Sequence, residues 1–194
     1  WFHYNLGKNP SFLSPKKNFG EDDPLNDFIR QLYNEGTDES IKKAKNLNAR
    51  QRFFSPVLVR GQEEEGVRLW GYGKTAYKEL LNLVLNPEYG DITDVSEGTD
   101  LVINYGKPAG AQFPQTAITP RRKSSPLASS EDDVAGLLDS IPNYDEVFES
   151  AKKTPTEIQH MLDEFLLGEE DAEDVSTETT KYESSAPENA VDRA

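Results

Sequence analysis

The sequence predicts an α+β protein: a body of short strands, helices on both sides of it, and an acidic tail. Three observations predict this. Apolar residues recur at helical spacing toward both ends, while alternate-residue patterning is confined to roughly residues 51–120. Gly and Pro cut that middle stretch into short pieces. The charge is also uneven. Residues 1–127 carry 17 Lys and Arg against 16 Asp and Glu, whereas residues 128–194 carry 4 against 19, so the net charge of −14 belongs to the last third.

Residues 1–20 set Trp1, Phe2, Tyr4, Phe12 and Phe19 among Lys, Pro and Gly with no period, which reads as an irregular lobe. The first helix follows. Asp22 or Asp23 can cap it, Pro24 suits its first turn, and Leu25, Phe28, Ile29, Leu32 and Tyr33 form one stripe before Gly36 ends it. Thr37 or Asp38 opens a more polar helix to about Asn48, with Ile41, Ala44 and Leu47 inward.

The period then changes. Phe53–Arg60 and Val67–Tyr72 read as strands, and Pro56 marks the first as an edge or bulge. Thr75–Leu85 is a helix closed by Asn86-Pro87. Short strands are expected at Ile92–Val95, Asp100–Tyr105 and Gln115–Ile118. Four or five strands with a helix inserted partway is the element count of a partly open, five-stranded barrel of the oligonucleotide-binding (OB) type, although SH3-like barrels and small α+β folds fit as well. Beyond Ser130, Val134, Leu137, Leu138 and Ile141 are helically spaced, and Tyr144–Glu149 adds a turn or two. Thr154-Pro155-Thr156-Glu157 is a capping box ahead of Ile158, Met161, Leu162, Phe165 and Leu166. From Gly168 the chain is polar and acidic and should be disordered. The expected organisation is a front lobe (1–50), a barrel-like body (51–127), a helical extension (128–167) and an acidic tail (168–194).

This length suits one domain with appendages. No apolar run approaches the ~18 residues of a membrane span. The opening residues have no basic segment followed by an apolar one, so no secretory signal is expected. There is no Cys, hence neither disulfide nor thiolate metal site.

Catalytic chemistry is thinly represented, and no enzyme is expected. The only histidines are His3 and His160, and His160 reads as a surface or boundary residue. Glu63-Glu64-Glu65 reads as a solvated charge run. Gly71-Tyr72-Gly73-Lys74 lacks the spacing of a phosphate loop and reads as a strand-to-helix turn. Binding chemistry is richer. Single-strand binders pair cations for phosphates with rings on which bases stack. Here Arg50, Arg52, Phe53, Phe54, Arg60, Arg68, Trp70, Tyr72 and Lys74 interleave the two. Arg68, Trp70 and Tyr72 share one strand face, opposite Val67 and Leu69. That face is either a solvent-facing binding row or packing beneath the neighbouring helix. Arg121-Arg122-Lys123 adds a triple cation.

Four segments carry a resemblance: Arg52–Arg60 (RFFSPVLVR), Val67–Lys74 (VRLWGYGK), Leu81–Gly90 (LNLVLNPEYG) and Asn104–Pro108 (NYGKP). Together they resemble the single-stranded DNA-binding (helix-destabilising) proteins of T-even-like bacteriophages, closest to the cyanophage versions. The likeness covers roughly residues 1–167, and the acidic tail fits in character.

The resemblance implies an OB-type fold with an extra lobe. It implies a viral protein that coats single-stranded DNA in phage replication, recombination and repair, in the cytoplasm of the infected bacterium. The expected binding groove is lined by Arg52, Phe53, Arg60, Arg68, Trp70, Tyr72, Lys74, Tyr105, Lys107, Arg121, Arg122 and Lys123, bordered by Lys8, Lys16 and Lys17. Expected partners are single-stranded DNA, replication and recombination proteins recruited by the tail, and further copies along the strand. Two departures stand out. The family's zinc site uses one His and three Cys; the matching positions here are His3, Ser14, Asp23 and Asn26, so no zinc or other cofactor is expected. The family's basic N-terminal arm has no counterpart in this sequence, which weakens the case for cooperative coating. The alternative from another class is an acidic interaction adaptor whose barrel binds peptides.

Overall fold

The computed structural model describes residues 1–178, with side chains as far as Gly168. The front lobe is more ordered than its composition suggests. Strands β1 (Phe2–His3) and β2 (Phe12–Leu13) pair antiparallel, and helix α1 (Pro15–Phe19) follows. Helices α2 (Pro24–Glu35) and α3 (Asp38–Leu47) form an antiparallel hairpin. Asp23 and Thr37 cap them by accepting the Asn26 and Ser40 amide hydrogens, and Gly36 ends α2 at φ 71°, a left-handed conformation that glycine adopts without a Cβ penalty.

Helix α7 (Pro155–Glu178) returns from the far end of the chain to pack on α2. Leu25 and Ile29 of α2, Ala44 and Leu47 of α3, and Ile158, Met161 and Leu162 of α7 share one buried core with Leu6 and Phe12. The core therefore lies in the lobe and joins both ends of the described chain. The last helix of the extension, α7, thus shares its core with the front lobe.

The body contains two β-hairpins. Strands β3 (Phe53–Leu58) and β4 (Val67–Tyr72) pair from Phe53↔Tyr72 to Leu58↔Val67. Helix α4 (Lys74–Val84) follows, then β5 (Leu101–Gly106) and β6 (Gln115–Pro120), paired from Leu101↔Pro120 to Gly106↔Gln115. Helix α4 packs against β6, and Glu79 accepts the Ile118 amide hydrogen at 3.1 Å.

The chain is α+β, as expected, but among the described residues the strands form three separate two-stranded sheets and no closed barrel. The fifth strand, expected at Ile92–Val95, is a run of turns. The cause is local. The Asp91 carboxylate accepts from the Thr93 amide and hydroxyl, and that of Asp94 from the Ser96 and Glu97 amides. Such short-range bonds compete with a strand ladder.

Helices α5 (Glu131–Asp139) and α6 (Tyr144–Glu149) follow, and α6 is anchored by Phe148, whose ring lies 4.7 Å from Phe54 and 5.7 Å from Phe2. Of the tail expected to be disordered, residues 179–194 lie outside the described residues; before them the backbone of α7 continues through Gly168 to Glu178. No helix among the described residues is long and apolar enough to cross a membrane.

Candidate nucleic-acid interface

Register decides which rings meet. Phe53 sits opposite Tyr72 and Ser55 opposite Trp70, so these four share a sheet face with Val57 and Arg68. On that face Trp70 and Tyr72 lie 4.4 Å apart, Tyr72 and Phe53 stack at 6.1 Å, and Phe53 stacks on Tyr77 of α4 at 4.0 Å with an interplanar angle of 8°. Four rings thus run continuously from the middle of β4 to the first turns of α4. The other face of the hairpin is committed to packing. A Cβ on Gly71 would come within 2.9 Å of the Phe54 ring, so only glycine admits that ring.

The run grades from buried to exposed. Tyr72 is 7% exposed, and its hydroxyl bonds to the Ser55 hydroxyl at 2.8 Å. Of the two readings of this face, solvent-facing row or packing, Tyr72 follows the packing one, so it is not the free stacking ring expected in the groove. Trp70 and Phe53 are half-buried, while Tyr77 is exposed. Tyr77, inside the helix expected at Thr75–Leu85, was not among the expected groove residues. Its signal was available: it is the fourth residue of a helix that starts directly after β4.

The cations divide. Arg52 is exposed and donates to the Gly71 carbonyl at 3.0 Å, with its guanidinium on the Phe54 side of the hairpin, opposite the ring run; Lys74 is exposed at the start of α4, one turn before Tyr77. Arg68 pairs with Glu65. Arg60 is a correction. Its Nε donates to Asp100 at 3.1 Å, Nη1 to the Leu127 carbonyl at 2.8 Å and Nη2 to the Pro126 carbonyl at 2.7 Å. It fastens the segment after β6 to the loop before β5, alongside the Arg121→Asp100, Ser125→Gly98 and Leu127→Val95 backbone bonds. Arg60→Ala is expected to lower the melting temperature by several degrees while changing oligonucleotide affinity less than about twofold, because three bonds at this partly exposed site are lost, the ion pair among them worth only ~0–1 kcal/mol after solvent screening. Differential scanning fluorimetry and a binding titration on the same variant check both halves.

The remaining predicted residues lie elsewhere. Tyr105 on β5 is 74% exposed, and Lys107, Arg121, Arg122 and Lys123 are exposed at the two ends of that hairpin. Phe113, in the loop between β5 and β6, is 67% exposed and was not among the expected groove residues. Lys8, Lys16 and Lys17 are exposed on the front lobe, where the Lys17 ammonium sits 5.6 Å over the Trp1 ring.

His160 faces solvent near Glu164, and Glu63–Glu65 form an exposed 3-10 turn. His3, Ser14 and Asp23 do converge. They are buried, with Ser14 donating to Asp23 Oδ2 at 2.6 Å and His3 Nε2 at 3.2 Å from the same oxygen. Asn26 joins through its backbone amide, 3.1 Å from Asp23 Oδ1. Burial pushes the Asp23 carboxyl up, but the hydrogen bonds from His3, Ser14 and Asn26 outweigh it and hold the group below its ordinary 3.8. Comparison with family models, curated proteins and solved structures finds no match.

Proposed function

We propose that the chain is a sequence-independent single-stranded DNA-binding protein. The observation that carries this reading is the continuous run Trp70–Tyr72–Phe53–Tyr77, which emerges at an exposed ring one helical turn from exposed Lys74. Rings accept any base, and cations beside them meet the phosphates, so the combination binds strands without reading sequence. On this reading hairpin β5–β6, whose β6 packs on α4, supplies a second set of exposed groups: Tyr105, Lys107, Arg121, Arg122 and Lys123. The near-neutral balance of residues 1–127 supports the same reading, since the acidity lies outside the body.

On this reading the two hairpins and α4 correspond to four strands and the helix of an OB-type body. The chain works without catalysis and without a cofactor. It protects single strands during phage replication, recombination and repair in the infected bacterial cytoplasm, binding the replication proteins and further copies of itself named above. The acidic residues from Gly168 on mimic the DNA backbone, compete for the groove when DNA is absent and recruit partner proteins when displaced. Truncation after Leu167 is then expected to tighten oligonucleotide binding severalfold at low salt, with the gain shrinking as screening grows; anisotropy titrations at two salt concentrations measure it.

The adaptor reading has one observation in its favour. Leu138 on α5, Ile141 in the link and Tyr144 and Val147 on α6 are exposed, in a stretch with seven carboxylates and no Lys or Arg from 131 to 149. A gel shift with single-stranded and duplex oligonucleotides at low and moderate salt separates the two. The DNA reading requires a shift with the single strand that weakens with salt; absence of any shift at low salt leaves the adaptor.

A further inference from the structure

We propose that His3, Ser14 and Asp23 form a metal-independent clasp that closes the front lobe, with the Asp23 carboxylate as its hub. The inference holds whether or not the body binds DNA.

The three residues come from β1, the end of β2 and the cap of α2, and the other His3 nitrogen reaches the Leu47 carbonyl at 3.0 Å, at the end of α3. The cluster therefore joins four elements spread over more than forty residues. All three side chains are at most 3% exposed, so no water competes for their bonds. The hub is heavily engaged. A carboxylate offers about four lone-pair directions. Asp23 Oδ1 accepts the Asn26 amide hydrogen, and Oδ2 accepts the Ser14 hydroxyl and, at 3.4 Å, the Lys16 amide, with His3 Nε2 3.2 Å away.

The donor chemistry does not suit a structural metal. Two ligands of a tetrahedral zinc, each about 2.0–2.2 Å from the ion, stand roughly 3.3–3.5 Å apart. Ser14 Oγ and Asp23 Oδ2 are 2.6 Å apart, the spacing of a charge-assisted O–H···O bond. Asn26 contributes an amide hydrogen, a donor that repels a cation. What remains is one imidazole and one carboxylate, both with their polar atoms already engaged. Ser14 also caps α1 by accepting the Lys17 amide hydrogen at 3.3 Å, so the clasp sets the position of Lys16 and Lys17 as well.

The test is thermal unfolding of the full chain, alone, with excess EDTA and with added zinc sulfate, for the parent, Ser14→Ala, Asp23→Asn and the double variant. Asn is itself a favoured helix cap, so Asp23→Asn reports the clasp more than the cap. The parent melting temperature is expected to stay within about a degree across the three solutions. Each single variant is expected to melt roughly 4–8 °C lower, and the double variant barely lower than the worse single, because both remove one network. A fall in melting temperature with EDTA, or stoichiometric zinc in the purified protein by elemental analysis, overturns metal independence. Additive losses, or none, overturn the clasp. Should Asp23→Asn fail to fold, Ser14→Ala in the same three solutions decides the question.

Discussion

Replacing Arg121, Arg122 and Lys123 together by Ala is expected to weaken single-strand binding about 100-fold at 0.1 M salt. Single-strand affinity changes with salt at a log–log slope of about −0.7 per neutralised phosphate. Three lost contacts therefore remove about two from the slope, which at 0.1 M amounts to about two decades in affinity. The three cations are exposed immediately after β6, and the Arg121 amide bonds the Asp100 carbonyl at 2.8 Å, so the backbone beneath them is fixed while the heads are free for phosphate. Folding should be untouched, since the substitutions remove no buried group. For comparison, Tyr77→Ala loses one stacked base, ~1–3 kcal/mol, and leaves the salt slope alone. The two variants thus separate electrostatics from stacking. An anisotropy titration across four salt concentrations reads both; a triple variant within about threefold of the parent removes this segment from the interface.

The second large effect is on stability. Asp23→Ala is expected to cost about 3–7 kcal/mol in urea unfolding followed by tryptophan fluorescence. It removes an α2 cap, worth ~1 kcal/mol, and strips the acceptor from buried Ser14 and His3, at ~1–3 kcal/mol for each group left unsatisfied. Against a total of ~5–15 kcal/mol for a domain, that is a large fraction. The pH dependence has a definite sign. The folded Asp23 carboxyl lies below its ordinary 3.8, so its contribution is fully present above that value and is lost as pH falls through the lower, folded pKa. Acid unfolding of the parent should therefore steepen below about pH 4 more than that of the Asp23→Ala variant. Parallel acid curves would mean that the carboxylate carries no such linkage.

Much of the local structure was legible because its causes are local. The α2 stripe, its Asp23 and Pro24 start and its Gly36 stop all sit within one helix, and the Phe53–Leu58 and Val67–Tyr72 strands follow their own alternation. The misses have physical reasons of another kind. At Ile92–Val95 the Asp91 and Asp94 side chains bond the following backbone and turn the chain away from a strand. Arg60 looked like a free cation because its partners, Asp100, Pro126 and Leu127, lie 40 to 67 residues away. Tyr72 alternates like a surface ring, and only its cross-strand neighbours show that it is covered. Strand count suggested a barrel, but count says nothing about pairing between hairpins, and α4 lies where β6 meets the rest of the body. His3, Ser14 and Asp23 stand 9 to 20 residues apart, so the hydrogen bonds that join them could be read only from the fold.

Binding of single strands on the ring run is tested most directly through its own chromophore. Trp70 lies within the run, 4.4 Å from Tyr72, and Trp1 lies apart on the front lobe. A Trp1→Phe variant isolates the Trp70 emission, which is then titrated with oligothymidine at low and moderate salt. The expected result is saturable quenching at low salt, with an apparent affinity that falls along a negative log–log salt slope. Unchanged Trp70 emission at saturating oligothymidine and low salt would contradict it.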